Sequence, residues 1–245
     1  MVEIPLFDSF YKNPILLDLF KKDSKLSSFH NGTDLSHIDR DFLEKRDLSI
    51  ENREVLYQVI SSQYSKTGLK IPENLNFAEA ATLPCAGLTA WRALVDEGNL
   101  KANETVLVQG TGGVSIFALQ LAKCMGAKVI ATSSSEEKLS KLKDLGADEL
   151  INYKENPEWG KEVLKLTNNE GVDHVIEVGG GGTFGESVRA AKLGGHIALI
   201  GVLSGPAVSE IILPRIFLKQ VRLSGIAMAN QQSQLSMIEF IEKHN

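Results

Sequence analysis

From residue 105 onward, apolar positions fall into two alternating patterns. Short runs that are apolar nearly throughout, "TVLVQG", "KVIAT", "ELINY", "VDHVIEV" and "HIALIGVL", are separated by longer segments with apolar residues at helical spacing. The short runs read as strands covered on both faces and the longer ones as amphipathic helices. A helix is expected over residues 113–125, stopped by Gly126. "SEEKLSKLKDLG" is expected to be helical, with Ser134 as N-cap, Glu137 in the capping-box position and Gly146 beyond its end. "NPEWGKEVLKLT" starts with Asn156 and Pro157, and a further helix is expected over residues 183–191. "VRLSGIAMA", residues 221–229, reads as a strand with no later partner in the chain. Strand–turn–helix repetition of this kind predicts an α/β fold with a doubly wound, Rossmann-like parallel sheet.

Up to Gly68 the pattern differs: the chain is polar and poor in glycine. Two helices are expected there. Asn13 caps one, with Pro14 at its first position and Ile15, Leu16, Leu19 and Phe20 on its apolar face. Ser49 opens the other, which carries Val55, Leu56, Val59, Ile60 and Gln63. His30 and His37 lie in the polar stretch between them and read as solvated side chains. The expected organisation is a mainly helical N-terminal segment, 1–68, and a nucleotide-binding type domain, 69–245.

Composition narrows the function. With 43% hydrophobic residues among 245, a packed core is expected. A net charge of −5 argues against nonspecific nucleic-acid binding. No apolar run reaches the roughly 18 residues of a membrane span, and the N-terminus lacks the layout of a signal peptide. Cys85 and Cys124 form neither a CxxC pair nor a metal-spaced cluster, so no metal site is assigned and free thiols in a reducing, cytoplasmic compartment are expected.

The candidate chemistry lies in "VLVQGTGGVSIFALQLAK", residues 106–123. Gly110, Gly112 and Gly113 stand where a strand turns into a helix, beside Thr111 and Val114. Such a turn lets a pyrophosphate approach backbone N–H groups at the helix N-terminus. In the fingerprint G-x-G-x-x-G the third glycine is replaced by Ser115. The reading favours a dinucleotide cradle over a purely structural turn. The next strand ends "ATSSSEEK", with no acidic residue at the site that would clasp the ribose of NAD. Ser133, Ser134, Ser135 and Lys138 there favour a 2′-phosphate and hence NADP(H). The alternative is that the serines only cap the helix, and Glu136 and Glu137 weaken the charge argument. Two further glycine clusters, with Gly179 and Gly180 in "VGGGG" and Gly201 and Val202 in "IGVLSG", follow strands and could admit a nicotinamide ring; simple loops would need fewer glycines.

Together with "IPENLNFAEAATLPCAGLTAWRAL", "VIATSSSEEKLSKLKDLGADELINY", "GVDHVIEVGG" and "GGHIALIGVLSG", these motifs resemble the medium-chain dehydrogenase/reductase superfamily, most of all its NADPH:quinone-reductase-like and zinc-binding-dehydrogenase-like members. The resemblance runs from about Leu69 to the end of the chain. It implies a Rossmann-like domain that in the family accompanies a GroES-like catalytic domain. The marks of that domain are not found in this sequence, and the family pattern continues beyond the final "SQLSMIEFIEKHN". It also implies that Thr89 in "GLTAW" lies near the nicotinamide, that Tyr153 and Lys138 hold the 2′-phosphate end, and that an edge strand pairs across a two-fold axis in a homodimer. Residues 1–68 show a less specific resemblance to the start of the bacillithiol-biosynthesis cysteine-adding enzyme, in "IPLFDSFYKNPILLDLFKKDSKLSSFHN" and "NREVLYQVISSQY"; no activity carries over from it.

The expected function is NADPH-dependent hydride transfer to a small-molecule acceptor, a quinone or enone. No catalytic residue is assigned: His174 and His196 read as structural, and Cys85 as a small buried thiol. The alternative from another class is a nucleotide-binding module without turnover, a catalytically inactive fragment or chimeric remnant lacking the substrate domain.

Overall fold

The computed structural model describes residues 72, 74–75, 77–207 and 213–244. The two helices expected before Gly68, with His30 and His37, lie outside the described residues. The chain divides into two compact units, Met1–Ala81 and Thr82–Asn245, and the second holds the whole sheet.

That unit opens with a helix, α1, made of a π-helical segment Leu83–Gly87, an α-helical segment Leu88–Trp91 and a second π-helical segment Arg92–Asp96. Then follow β1 (Thr105–Gln109), α2 (Gly113–Cys124), β2 (Lys128–Ser133), α3 (Glu136–Asp144), β3 (Glu149–Asn152), α4 (Trp159–Leu166), β4 (Val172–Glu177), α5 (Phe184–Ala190), β5 (Ala191–Leu199), α6 (Leu213–Leu218), β6 (Arg222–Gly225) and α7 (Gln231–Lys243). Among the described residues the six strands form one parallel sheet in the order β3-β2-β1-β4-β5-β6. This is the doubly wound arrangement expected from the strand–helix alternation.

Alternate strand positions explain the two layers. Leu107, Ile130, Val175 and Ile197 share one face and bury against Trp159 and Val163 of α4 and Phe184 and Val188 of α5. Helix α2 packs on β1 and β2, with α1 against α2 and α7 against α1, where Trp91 and Phe240 meet with ring centroids 5.4 Å apart. Gly126 (φ +81°) and Gly146 (φ +96°) end α2 and α3 as expected. In each case the next residue's N–H returns to the last helical turn, Ala127 to Ala122 O and Ala147 to Leu142 O, both at 3.0 Å, so orphan carbonyls are satisfied.

Several boundaries differ from the sequence reading. Ser135, in extended conformation, is the N-cap of α3 rather than Ser134, and its side chain makes no cap bond. With Ser135 as cap the capping-box position falls on Lys138, so no box forms, and Glu137 pairs forward with Lys141 at 2.7 Å. Helix α4 starts at Trp159, since Asn156 N–H closes a turn on Asn152 O (2.9 Å) and holds Asn156 and Pro157 outside it. The segment expected as a strand over 221–229 shortens to β6, which is paired with β5 on one side and forms the sheet edge.

The two histidines are buried register partners on β4 and β5. His174 Nε2 lies 3.0 Å from Glu104 Oε2, and His174 Nδ1 lies 3.4 Å from His196 Nδ1. The network assigns the tautomers: His174 Nε2–H donates to the carboxylate, and His196 Nδ1–H donates to His174. His196 Nε2 is then buried without a partner. Burial, followed by the charges of His174 and Arg222, pushes the His196 pKa from 6.5 down to about 4, against a weaker opposing pull from Glu97. Burial also lowers His174, with Glu104 opposing.

A lowered histidine pKa means that the unfolded chain takes up the proton first. Stability from this source is complete above about pH 6.5 and falls as the pH drops toward about 4, by on the order of 3 kcal/mol at most. His196→Leu should therefore have a flatter thermal midpoint between those pH values than the parent. Equal slopes would show that the pair does not titrate on unfolding.

Candidate functional site

The chain builds outward from β1 to β3 on one side, then returns to add β4 to β6 on the other. The strand order therefore reverses between β1 and β4, the place where open α/β sheets have their ligand crevice, beyond the carboxyl ends of the strands. Loops 110–112, 178–183 and 200–205 border it.

The turn after β1 is built to be approached. Gly110 takes φ +74°, which favours glycine, and its N–H binds Thr132 O at 2.7 Å. Gly112 has an ordinary extended backbone, φ −73° and ψ 165°. A Cβ on either residue would meet no protein atom within 4 Å, so the space above them is open. Gly113 has a different reason: its Cβ would come within 3.2 Å of Ala86 Cβ, so it lets α1 and α2 approach. No side chain caps α2, and its ladder starts with Ile116 N–H on Gly112 O. The N–H groups of Gly113, Val114 and Ser115 point past the helix end into the crevice. Ser115, in the third-glycine position, is buried and donates from Oγ to Gln109 O at 2.7 Å, so close packing of helix on strand survives the replacement. Thr89 is buried in α1, one turn beyond Ala86.

The ends of β2 and β3 are neighbours. Tyr153 N–H binds Ser133 O at 3.0 Å, which brings Tyr153 beside the serine run, and the residue is 40% exposed. Lys138 is exposed one turn into α3. Ser133 is fully buried, so Ser134 and Ser135 are the hydroxyls offered to a ligand. The two acidic neighbours are engaged elsewhere: Glu136 accepts from Asn152 Nδ2 at 3.0 Å, and Glu137 is held by Lys141.

The loops after β4 and β5 clasp each other. Ser204 N–H binds Gly179 O (2.7 Å), and Gly181 N–H binds Gly205 O (2.8 Å). A Cβ at Gly180 would stand 2.7 Å from Gly205 O, and one at Gly201 would strike Val178 O. This clasp requires the glycines, so their number does not by itself argue for a flat ligand as the sequence reading had it. Their place at the strand ends, with Val202 exposed beside them, keeps them at the crevice.

Sequence reasoning missed the residues underneath. Glu177, the last residue of β4, is completely buried. Its Oε1 accepts from Gly179 N–H (2.8 Å), Gly180 N–H (2.9 Å) and the Thr183 hydroxyl (2.5 Å). Its Oε2 accepts from Gln109 Nε2 (2.9 Å) and the Ser187 hydroxyl. Gln109, at the end of β1, also accepts from Val178 and Gly179 N–H at 3.3 Å each and donates to Ser187 Oγ at 2.7 Å. The one available signal was a glutamate inside an apolar strand immediately before a glycine run.

Cys85 is exposed rather than buried, and desolvation raises its thiol pKa, so it is not an activated nucleophile. Among the described residues no three His, Cys, Asp or Glu side chains stand together in a way that could hold a metal ion, and no helix is long and apolar enough to cross a membrane.

A family model described as zinc-binding dehydrogenase matches residues 113–243. A zinc-type alcohol dehydrogenase-like protein of Schizosaccharomyces pombe is 43% identical over 176 residues, 70% of this chain and 51% of that protein. Three solved structures share the fold. An NAD-dependent alcohol dehydrogenase is 40% identical with a TM-score of 0.65, over 70% of this chain and 50% of that one. A quinone oxidoreductase of Pseudomonas syringae is 32% identical with a TM-score of 0.63, over 71% and 55%. A 2-octenoyl-CoA carboxylase reductase in complex with NADP and 2-octenoyl-CoA is 29% identical with a TM-score of 0.66, over 71% and 43%. The chain spans about half the length of the relatives it matches. The donor set among its described residues does not fit the zinc of the family description.

Gly112→Val should abolish NADPH binding in a calorimetric titration while leaving the circular dichroism spectrum and thermal midpoint close to the parent's. The backbone there suits valine, and its side chain would fill only the open space. A variant that binds as the parent does would show that the cradle lies elsewhere.

Proposed function

Because the chain belongs to the zinc-binding dehydrogenase family, within the medium-chain dehydrogenase/reductase superfamily, we propose that it binds NADP(H) at the crevice and serves hydride transfer to a quinone or enone. The observation that carries this reading is the open space above Gly110 and Gly112, faced by the unpaired N–H groups of α2. The amides of Gly113, Val114 and Ser115 bind the pyrophosphate, with Thr111 beside them in the turn. Ser134, Ser135, Lys138 and Tyr153 take the 2′-phosphate. Supporting this are the lack of a carboxylate at the end of β2 and the engagement of Glu136 and Glu137 by other partners. Thr89, Gly179, Gly180, Gly201 and Val202 border the place of the nicotinamide ring.

When bound, the nicotinamide supplies a hydride, two electrons with one proton, to an electrophilic carbon of the acceptor. A quinone or enone accepts it with little acid–base help, so positioning and exclusion of water are the protein's main contributions. The protein is proposed to act in the cytoplasm. Its assembly is proposed to be a homodimer that pairs the β6 edge across a two-fold axis and covers Leu223, which is 41% exposed.

NADPH oxidation in the presence of a quinone tests the reading directly. Binding without oxidation assigns the chain to the second class, a nucleotide-binding module without turnover. Ser134→Asp combined with Lys138→Ala should shift the NADPH:NADH affinity ratio toward NADH by about tenfold or more, since a carboxylate replaces an ammonium beside the 2′-phosphate. An unchanged ratio would place the phosphate elsewhere. Light scattering at micromolar concentration should show a dimer for the parent and a shift toward monomer for Leu223→Lys. A monomeric parent, or a variant that dimerises equally well, would remove β6 as the interface.

A further inference from the structure

The turns after β1 and β4 flank the point where the strand order reverses, and both present a nest of donors. They differ in what faces those donors. After β1 the N–H groups look into open space. After β4 the N–H groups of Gly179 and Gly180 and the hydroxyls of Thr183 and Ser187 converge on a carboxylate of the chain itself. Every hydrogen-bond partner of that carboxylate among the described residues is a donor, and the fifth, Gln109 Nε2, comes from the end of β1.

We propose that Glu177 is a built-in anion: it fills the donor nest of the β4 turn, ties that turn to β1 through Gln109, and so positions the loop beside the nicotinamide place. A nest of N–H and O–H groups binds anions whether they are free or covalently attached. Left empty, this buried nest would hold five unsatisfied donors beneath the loop. Filled from within, it leaves one open anion site and one fixed wall. The remaining amides of the wall are spent internally, Gly181 on Gly205 O and Gly182 on Ser204 Oγ (2.9 Å). Glu177 does not touch the crevice; it is a positioning residue. Gln109 serves both turns, since its backbone carbonyl accepts from Ser115 of the cradle helix while its side chain grips Glu177 and the β4 loop.

The cofactor arm of the test rests on the proposed dinucleotide site, and the stability arm does not. Glu177→Ala removes the carboxylate and leaves five donors facing a small buried space, which a formate ion fits. Formate should raise the variant's thermal midpoint saturably and leave the parent's unchanged, with chloride at equal ionic strength as the control. The variant should bind NADPH about tenfold more weakly than the parent, and formate should restore the affinity. Adenosine 2′,5′-bisphosphate, which lacks the nicotinamide half, should bind parent and variant within about twofold of each other, whereas a general loss of structure would weaken both ligands alike.

A midpoint that formate raises equally in parent and variant overturns the proposal. So does equal weakening of NADPH and the bisphosphate. If the parent does not bind NADPH but formate still stabilises the variant selectively, the dinucleotide reading fails and the built-in anion stands. If Glu177→Ala does not fold, Glu177→Gln decides, because it keeps the volume and removes the charge. A lower midpoint and weaker NADPH binding are expected, and a Gln variant equal to the parent in both overturns the proposal.

Discussion

The contact between the Glu177 carboxylate and its five donors is the constraint on which the carboxyl end of the sheet depends. A buried carboxylate is costly unless its oxygens are fully hydrogen-bonded, and here both are. The donors come from β1, from the turn after β4 and from α5. Their satisfaction therefore requires β1 and β4 to be neighbours, with the β4 turn folded down over them. The clasp between loops 178–183 and 200–205 follows, because a turn held from below can carry the backbone of the next loop at glycine distance. The crevice lies where two adjacent turns, alike in their donors, are left one open and one closed.

Much of the frame was legible because it rests on local rules. Nearly continuous apolar runs gave the strands, and glycines at helix ends gave the stops at Gly126 and Gly146, where a positive φ is required. Boundaries set by a competing partner were not legible. Ser135, in extended conformation, replaces Ser134 as cap, and α4 starts late because the chain first turns on Asn152. The glycine runs were visible, but their cause was not. Only the three-dimensional pairing of the two loops shows that the glycines are needed against backbone. Glu177 and Gln109 escaped notice because a polar residue at the end of a strand does not announce a partner about seventy positions away. Cys85 and Ser133 exchanged their expected places, one exposed and the other buried.

The family supports a nicotinamide dinucleotide for the proposed site, while the neighbours differ among themselves on the phosphate: one is described as NAD-dependent and another holds NADP. The proposal of the phosphorylated form rests on local electrostatics. At the ends of β2 and β3 stand an exposed ammonium, two accessible hydroxyls and a half-exposed tyrosine, while Asn152 and Lys141 draw the two nearest carboxylates aside. These are surface interactions in high dielectric, so they tune a preference rather than create the site. The proposed site itself comes from the backbone: a turn whose two glycines leave open space above them and a helix with no side-chain cap.

Amide hydrogen exchange resolved by residue, with and without NADPH, tests this division between an open and a closed turn most directly. The account predicts that Gly179 and Gly180 exchange slowly without ligand, because Glu177 already holds their N–H groups. It predicts that Gly113, Val114 and Ser115 exchange fast until NADPH is added and become protected when it binds. Fast exchange at Gly179 and Gly180, or NADPH protection that falls outside the turn after β1, would contradict it.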